Sequence, residues 1–459
     1  MDSSKRKWWI LSVAAAGVLL STVDASIVNI ALPTIGEQFG TSVATTAWVT
    51  ISYLLVITAL LLVFGRLSDL YGQKKIFVGG LIVFTLGSGL CAIAAGIAQL
   101  IIFRSIQGIG AAMIVSNTSA IVTNAFPPEQ RGTGLGTIGA VVSIGLMSGP
   151  PLGGLIIHYL GWHYIFLVNL PIGLAAIFLT FKILPEFKAD HGADIFHPLD
   201  SILWVAGIIV FIMAVSIPGK AGSILIEMIA LLALSVIILW IFFARQAKTP
   251  NPLFNPRFLK NDIFLLASIA GFFSYMSMIS VAFMLPFLLE YSFNMSPFNT
   301  GNILVAIPAT TVIMSPLSGL LSDKFGQRPI ASIGAIVSII GAALMFTIDL
   351  SFAVWQLVVI LVVVGVGVGM FGSPNNSALM GSVENKDRGS AGGMLATVRN
   401  LGMVAGLGVI SLIFNSGIKN SSELSVVESY MRAFKGALPF VIAFSLAALL
   451  FSALRRSVS

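Results

Sequence analysis

Asp24 is the one ionisable side chain between Trp8 and Pro33, an apolar run long enough to cross a bilayer. Hydrocarbon does not solvate a carboxylate, so an acid at that position is kept for chemistry, typically the binding and release of a proton. A second charge, Arg104, lies five residues into another apolar run. Helical rise puts Asp24 about 24 Å from the inner end of its helix and Arg104 about 8 Å from the outer end of its own. The two depths are similar, which predicts one polar site, where a proton and a second ligand would compete for the carboxylate. The alternatives are a structural hydrogen bond for Asp24 and a snorkelling side chain for Arg104.

The elements that carry these residues must be membrane helices. Hydrophobic residues make up 57% of the 459 and charged residues 9%, against about 25% charged in soluble domains. The runs are too long and too uniform for strands. Fourteen spans are expected, six before residue 190, a pair near 199–217 and 223–243, and six after residue 255. If the N-terminus is inside, 19 of the 25 Lys and Arg fall on the cytoplasmic side, four outside and two within spans. That asymmetry predicts a cell (inner) membrane protein with both termini cytoplasmic. The basic residues are scattered over short loops, so the +7 charge is no nucleic-acid footprint. Cys91 is the single cysteine and the four His show no ligand spacing, so no metal or cofactor is expected. No phosphate loop or nucleophile constellation points to an enzyme.

The chain repeats itself. Gly65, Leu67, Ser68, Asp69, Gly72 and Gln73 recur as Gly319, Leu321, Ser322, Asp323, Gly326 and Gln327, an offset of 254. Arg131-Gly132 recurs as Arg388-Gly389 at an offset of 257. Two bundles, 1–190 and 251–459, are expected, with an inserted hairpin segment, 191–250, between them; transporters commonly hold their substrate between such repeats.

These motifs resemble the major facilitator superfamily, and within it the fourteen-span drug:proton antiporters. The resemblance covers essentially the whole chain. It rests on the Asp24–Pro33 stretch, the Gly65/Asp69/Gly72/Lys74 loop, Arg104–Gly110, Gly145–Gly154 and Gly161–Pro171. It implies an all-α fold of two pseudo-symmetric six-helix bundles plus the hairpin. It also implies an acid–base pair of Asp24 and Arg104. The function implied is proton-coupled efflux of lipophilic, cationic compounds by a monomer whose other partners are membrane lipids. Export of a native lipid or metabolite is the alternative on the same fold, and a receptor or scaffold without flux is the alternative outside it.

Further residues follow. Asp69 is expected to meet the start of the thirteenth span near Gly389-Ser390 and favour its dipole, and Asp323 to meet the start of the fifth span near Gly132. With Gly65, Gly72, Arg131 and Arg388 they would form the conformational latch. Gly145, Gly149, Gly153 and Gly154 form a stripe for close packing, bent at Pro150 and Pro151. Cavity candidates are Tyr53, Asn117, Tyr275, Met276, Met278, Phe283, Asn375, Asn376 and Arg399. Glu227 is expected at headgroup level, and Glu290 in solvent.

Overall fold

The computed structural model describes residues 3–455 apart from 128–129, 187–196, 217–223, 250–251, 255, 352, 385–387 and 422. Without water to bond to, the backbone of each apolar run bonds to itself. The helices are α1 (Ser3–Phe39), α2 (Val43–Tyr71), α3 (Gln73–Ala92), α4 (Ile97–Ala125), α5 (Arg131–Leu160), α6 (His163–Leu167), α7 (Asn169–Ile183), α8 (Pro198–Ser216) and α9 (Ile224–Gln246). The second set is α10 (Asp262–Phe287), α11 (Pro297–Leu304), α12 (Ala306–Phe325), α13 (Gln327–Leu344), α14 (Val354–Gly381), α15 (Arg388–Lys419) and α16 (Val426–Leu454). Together they supply fourteen segments long and apolar enough to cross a membrane, with α6–α7 and α11–α12 each counting as one.

Those two segments break for one reason. Pro171 and Pro308 lack the N–H that would bond to the carbonyl four residues earlier, at Leu167 and Leu304. The helix is interrupted at Val168 and Val305, directly after those carbonyls.

The duplication is visible in space. Gly72 and Gly326 end α2 and α12 with φ of 98° and 90°, a conformation that favours glycine, and each donates its N–H to a serine carbonyl, Ser68 or Ser322, at 2.9 Å. Close helix contacts recur at the same offsets. A Cβ on Gly108 would sit 2.9 Å from the Tyr53 carbonyl oxygen and 3.2 Å from Val56 Cβ. On Gly365 it would sit 2.6 Å from the Ile307 carbonyl oxygen and 2.8 Å from Thr310 Cβ.

The hairpin α8–α9 lies outside both sets. Helix α8 packs on α2 and α15, across the seam between the sets, and α9 packs on α8. At the terminal end of the hairpin, where α1 also starts, Asp200 is buried and accepts bonds from Arg245 Nε (2.6 Å) and Gln246 Nε2 (2.9 Å).

Candidate functional site

Asp24 and Arg104 meet. Arg104 Nη1 donates to Asp24 Oδ2 at 2.6 Å, and 0% of either side chain is exposed. The guanidinium points inward, so it does not snorkel. Its Nε donates to the Val49 carbonyl on α2 at 3.1 Å, and Nη1 also reaches Gln107 Oε1 at 2.6 Å. The Tyr53 ring lies against it, 4.0 Å from Cζ to the ring centroid, and Phe166 lies 5.7 Å away. Such faces attract a cation through the ring quadrupole.

The other carboxylate oxygen has two amide donors. Asp24 Oδ1 accepts from Gln107 Nε2 at 2.9 Å and from Asn169 Nδ2 at 2.8 Å. Both amides also donate to Ser88 Oγ, at 2.7 and 3.4 Å. The cluster therefore ties α1, α2, α3, α4 and α7 together. Local structure explains how each group arrives. Gly87 lets the Gln107 backbone approach α3, where a Cβ would lie 2.8 Å from Gln107 Cα. Gly173 leaves room for Thr85, which seats α7 on α3. Asn169 follows the break at Val168 and opens α7 beside Ser88.

Three N–H donors converge on two carboxylate oxygens. That pattern suits an ionised carboxylate, because a protonated one presents an O–H to a neighbour that also donates. Protonating Asp24 must break at least one of these contacts. The enclosure also corrects the expected competition: cargo does not reach the carboxylate in this conformation.

Helix α5 joins this cluster to the seam. A Cβ on Gly145 would lie 3.1 Å from Thr22 Cβ, on Gly149 it would collide with Ser26, and on Gly153 it would lie 3.3 Å from Ile27. Those three partners flank Asp24 on α1. The opposite face of α5 meets the other set: Gly154 lies against Pro297 and Phe298, and the Pro150 carbonyl against Gly301. At the same end Tyr291 Oη donates to the Pro33 carbonyl at 3.3 Å. Gly136 shares the face of Gly154 about five turns away, yet among the described residues nothing lies within 4 Å of a Cβ there. The α5 seam is closed at the end distant from the termini and parted at the end that bears them.

The residues expected to form a latch are arranged accordingly. Asp323 is exposed and makes no hydrogen bond or ion pair among the described residues, so the expected contact with the start of α5 is not made in this conformation. The parted end of the seam is the physical reason. Asp69 is exposed at the end of α2; the contact expected with Gly389-Ser390, like the Arg388 side chain and the surroundings of Gly132, lies outside the described residues. Among the described residues nothing lies within 4 Å of a Cβ on Gly65, so none of them makes a close helix approach there. Arg131 Nε donates to the Thr123 carbonyl at 3.1 Å, capping the end of α4.

Of the cavity candidates, several are enclosed within the bundles. Tyr53 covers Arg104 and donates to the Ser21 carbonyl. Asn117 donates to Met113 in its own helix, Asn375 bridges Ala267 and Arg455, and Met276 and Phe283 are core. Tyr275, Met278, Asn376 and Arg399 are partly exposed. Glu227 is exposed on α9. Glu290 differs from expectation: it is half-buried, with Oε1 enclosed and without a hydrogen-bond partner.

A duplicated bundle of membrane helices around an enclosed ion pair defines a class, the secondary transporter. The Major Facilitator Superfamily profile matches residues 14–244 and 267–457, and the chain belongs to that family. It is 34% identical over 435 residues to the riboflavin transporter RibZ of Clostridioides difficile (strain 630), covering 93% of each chain. It is 32% identical over 400 residues to multidrug resistance protein 3 of Bacillus subtilis (strain 168), covering 86% of this chain and 77% of that one. Its fold matches the crystal structure of a bacterial homologue of the human lysosomal transporter Spinster, solved inward-facing and unoccupied. The TM-score is 0.69, at 15% identity, covering 98% and 97% of the two chains. The protein is thus a multi-pass membrane transporter, with multidrug resistance proteins and a riboflavin transporter among its relatives.

Proposed function

We propose that the protein is a proton-coupled exporter of lipophilic compounds, working by alternating access from a cell membrane with both termini in the cytoplasm. The observation that carries this reading is the enclosed Asp24 carboxylate, held by Arg104, Gln107 and Asn169 and packed through α5 against the opposite set. Protonation of Asp24 neutralises the carboxylate and breaks its charge-assisted bonds. Helix α1 then loses its anchors to α4 and α7. Its neighbour α5 moves with it, because the glycine stripe leaves no slack between them. The distal contacts at Gly154 and Gly301 are thereby coupled to the charge on one acid. Deprotonation restores the pair and closes the distal end again. The Lys and Arg asymmetry supports placing the parted end in the cytoplasm.

A second reading keeps this device and changes the cargo to a native metabolite; the similarity to a protein named as a riboflavin transporter favours it. The test is flux. Purified protein in liposomes is given a pH gradient, and accumulation of lipophilic dyes and of riboflavin is followed. Gradient-driven accumulation by the parent, lost in Asp24→Asn, is the expected result. Accumulation that ignores the gradient, or survives in Asp24→Asn, removes proton coupling through this acid.

A further inference from the structure

Two arginines, Arg104 and Arg399, lie more than one turn inside their spans on stretches otherwise without charge, and they are treated differently. Arg104 has a carboxylate, an amide and a backbone carbonyl around it. Arg399, about a third of the way along α15, is half-buried and makes no hydrogen bond, ion pair or ring contact among the described residues. A charge kept at membrane depth without a partner needs one supplied from elsewhere.

Helical geometry gives its direction. Gly402 and Gly406 face α10, where a Cβ on Gly406 would lie 2.7 Å from Met276 Cα. Gly393 faces Leu62 of α2, at 3.9 Å, and Gly408 faces Ser216 of α8. At about 100° per residue, Arg399 falls between the α10 and α2 directions, on the side turned away from α8. The hairpin covers the seam from outside, with α9 behind α8. The side away from it is the space between the two sets.

Among the described residues the free acids stand at the two ends of that space, Asp323 at the parted end and Glu290 at the distal end, and none is placed beside Arg399. Asp24 is enclosed. Asp200 is bound by Arg245 and Gln246 at the terminal end of the hairpin. Glu37 and Glu290 lie near one another at the distal end, beside the Tyr291–Pro33 contact. Glu227 is on the outer helix α9. The uncompensated charge on the cavity wall is positive, which opposes a cationic cargo and favours an anion.

We propose that Arg399 binds the acidic group of the cargo, a carboxylate or a comparable anion carried on a lipophilic ring system. The proposal rests on the transport reading and deepens it, giving the cargo class as amphiphilic organic anions. The guanidinium can meet a carboxylate with two parallel N–H bonds, while the apolar walls of α2 and α10 take the ring. Binding involves no covalent step. Exchange of an anion outward for a proton inward moves charge in one sense, so an inside-negative potential drives both movements.

The test is a charge series on one ring. Wild-type protein in phosphatidylcholine nanodiscs is titrated with 2-naphthoate, 2-naphthamide and 2-naphthylmethylammonium, and with the three matching anthracene compounds, reading ligand fluorescence. The carboxylates are expected to bind about tenfold or more tighter than the amides and ammonium compounds, as a charge-assisted pair requires. Arg399→Gln should erase that preference and leave amide affinity as it was; Arg399→Lys should keep part of it. Equal binding of the ammonium compounds, no binding of any carboxylate, or a preference that survives Arg399→Gln overturns the proposal. Monodispersity and an unchanged melting temperature show that the variants are folded. Gradient-driven accumulation by the wild type of whichever of these compounds binds, carboxylate or amide, separates the two readings. If it is intact while the preference is absent, only the Arg399 assignment falls. If it is absent while the preference is present, the anion site stands and proton coupling falls.

Discussion

The two six-span sets use the same helix contacts to surround opposite chemistry. At the offsets of 254 and 257, Asp24 corresponds to Met278, Ser88 to Ala342, Arg104 to Leu361 and Gln107 to Val364. In the first set these positions hold a closed network of charge and amide. In the second, Ala342, Leu361 and Val364 are buried apolar core, and a small pocket beside Met278 is lined by Ser274, Ser277, Ser338 and Ser445. The glycine stripe is kept in both: Gly145 and Gly149 pack on α1, and Gly402 and Gly406 pack on α10. Packing alone therefore does not require the ion pair. The second set shows that this helix arrangement closes around methionine and leucine. The charge in the first set is retained against its desolvation cost, as the proposed proton-coupling role requires.

The largest effect should come from making the first set resemble the second. Asp24→Met alone leaves Arg104 buried without a countercharge, and Arg104→Leu alone leaves Asp24 so; each should cost about 3–5 kcal/mol of stability. The double variant should lose less than either single one, while all three lose gradient-driven transport. Unfolding of the purified proteins in mild detergent checks this. Additive losses in the double variant would mean that the two groups do not act as a pair.

An intermediate effect concerns the stripe. Gly149→Ala places a methyl against Ser26, so it should cost about 1–3 kcal/mol and slow transport. Gly136→Ala, on the parted stretch of the same helix, should change stability by less than about 0.5 kcal/mol. Equal costs at the two sites would contradict a seam closed at one end and parted at the other. The smallest effect belongs to the second set. Ser277 and Ser445 share a hydrogen bond of 2.8 Å. Replacing both by Ala removes donor and acceptor together and should shift stability by under about 1 kcal/mol, with transport unchanged.

Much of this was legible in the sequence, for physical reasons that differ by residue. Spans follow from the length of apolar runs, and the repeat from the doubled Gly-Asp-Gly loops. The meeting of Asp24 and Arg104 follows from depth, because helical rise is fixed. Rotation about a helix axis is not fixed in that way. Tyr53, Asn117, Asn375 and Phe283 were therefore expected at the cavity and are enclosed in the bundles instead. Ser88 carries no charge and resembles any serine in an apolar helix; only its contact with Gln107 and Asn169 distinguishes it. Asn169 lies within the Gly161–Pro171 stretch, and the signal that marks it is Pro171, which breaks the helix beside it. Away from Asp200 and its partners the hairpin is largely apolar, so its sequence does not reveal that α8 straddles the seam.

The most direct measurement is proton release on cargo binding. Purified protein in weakly buffered detergent, with a pH dye, is mixed with a compound it transports. Cargo entering from the parted side should draw the protonated molecules into this conformation, where Asp24 is ionised, so wild-type protein should release protons on mixing, and Asp24→Asn should release none while still binding the compound. Equal release from both proteins would place the exchanged proton elsewhere and contradict the account.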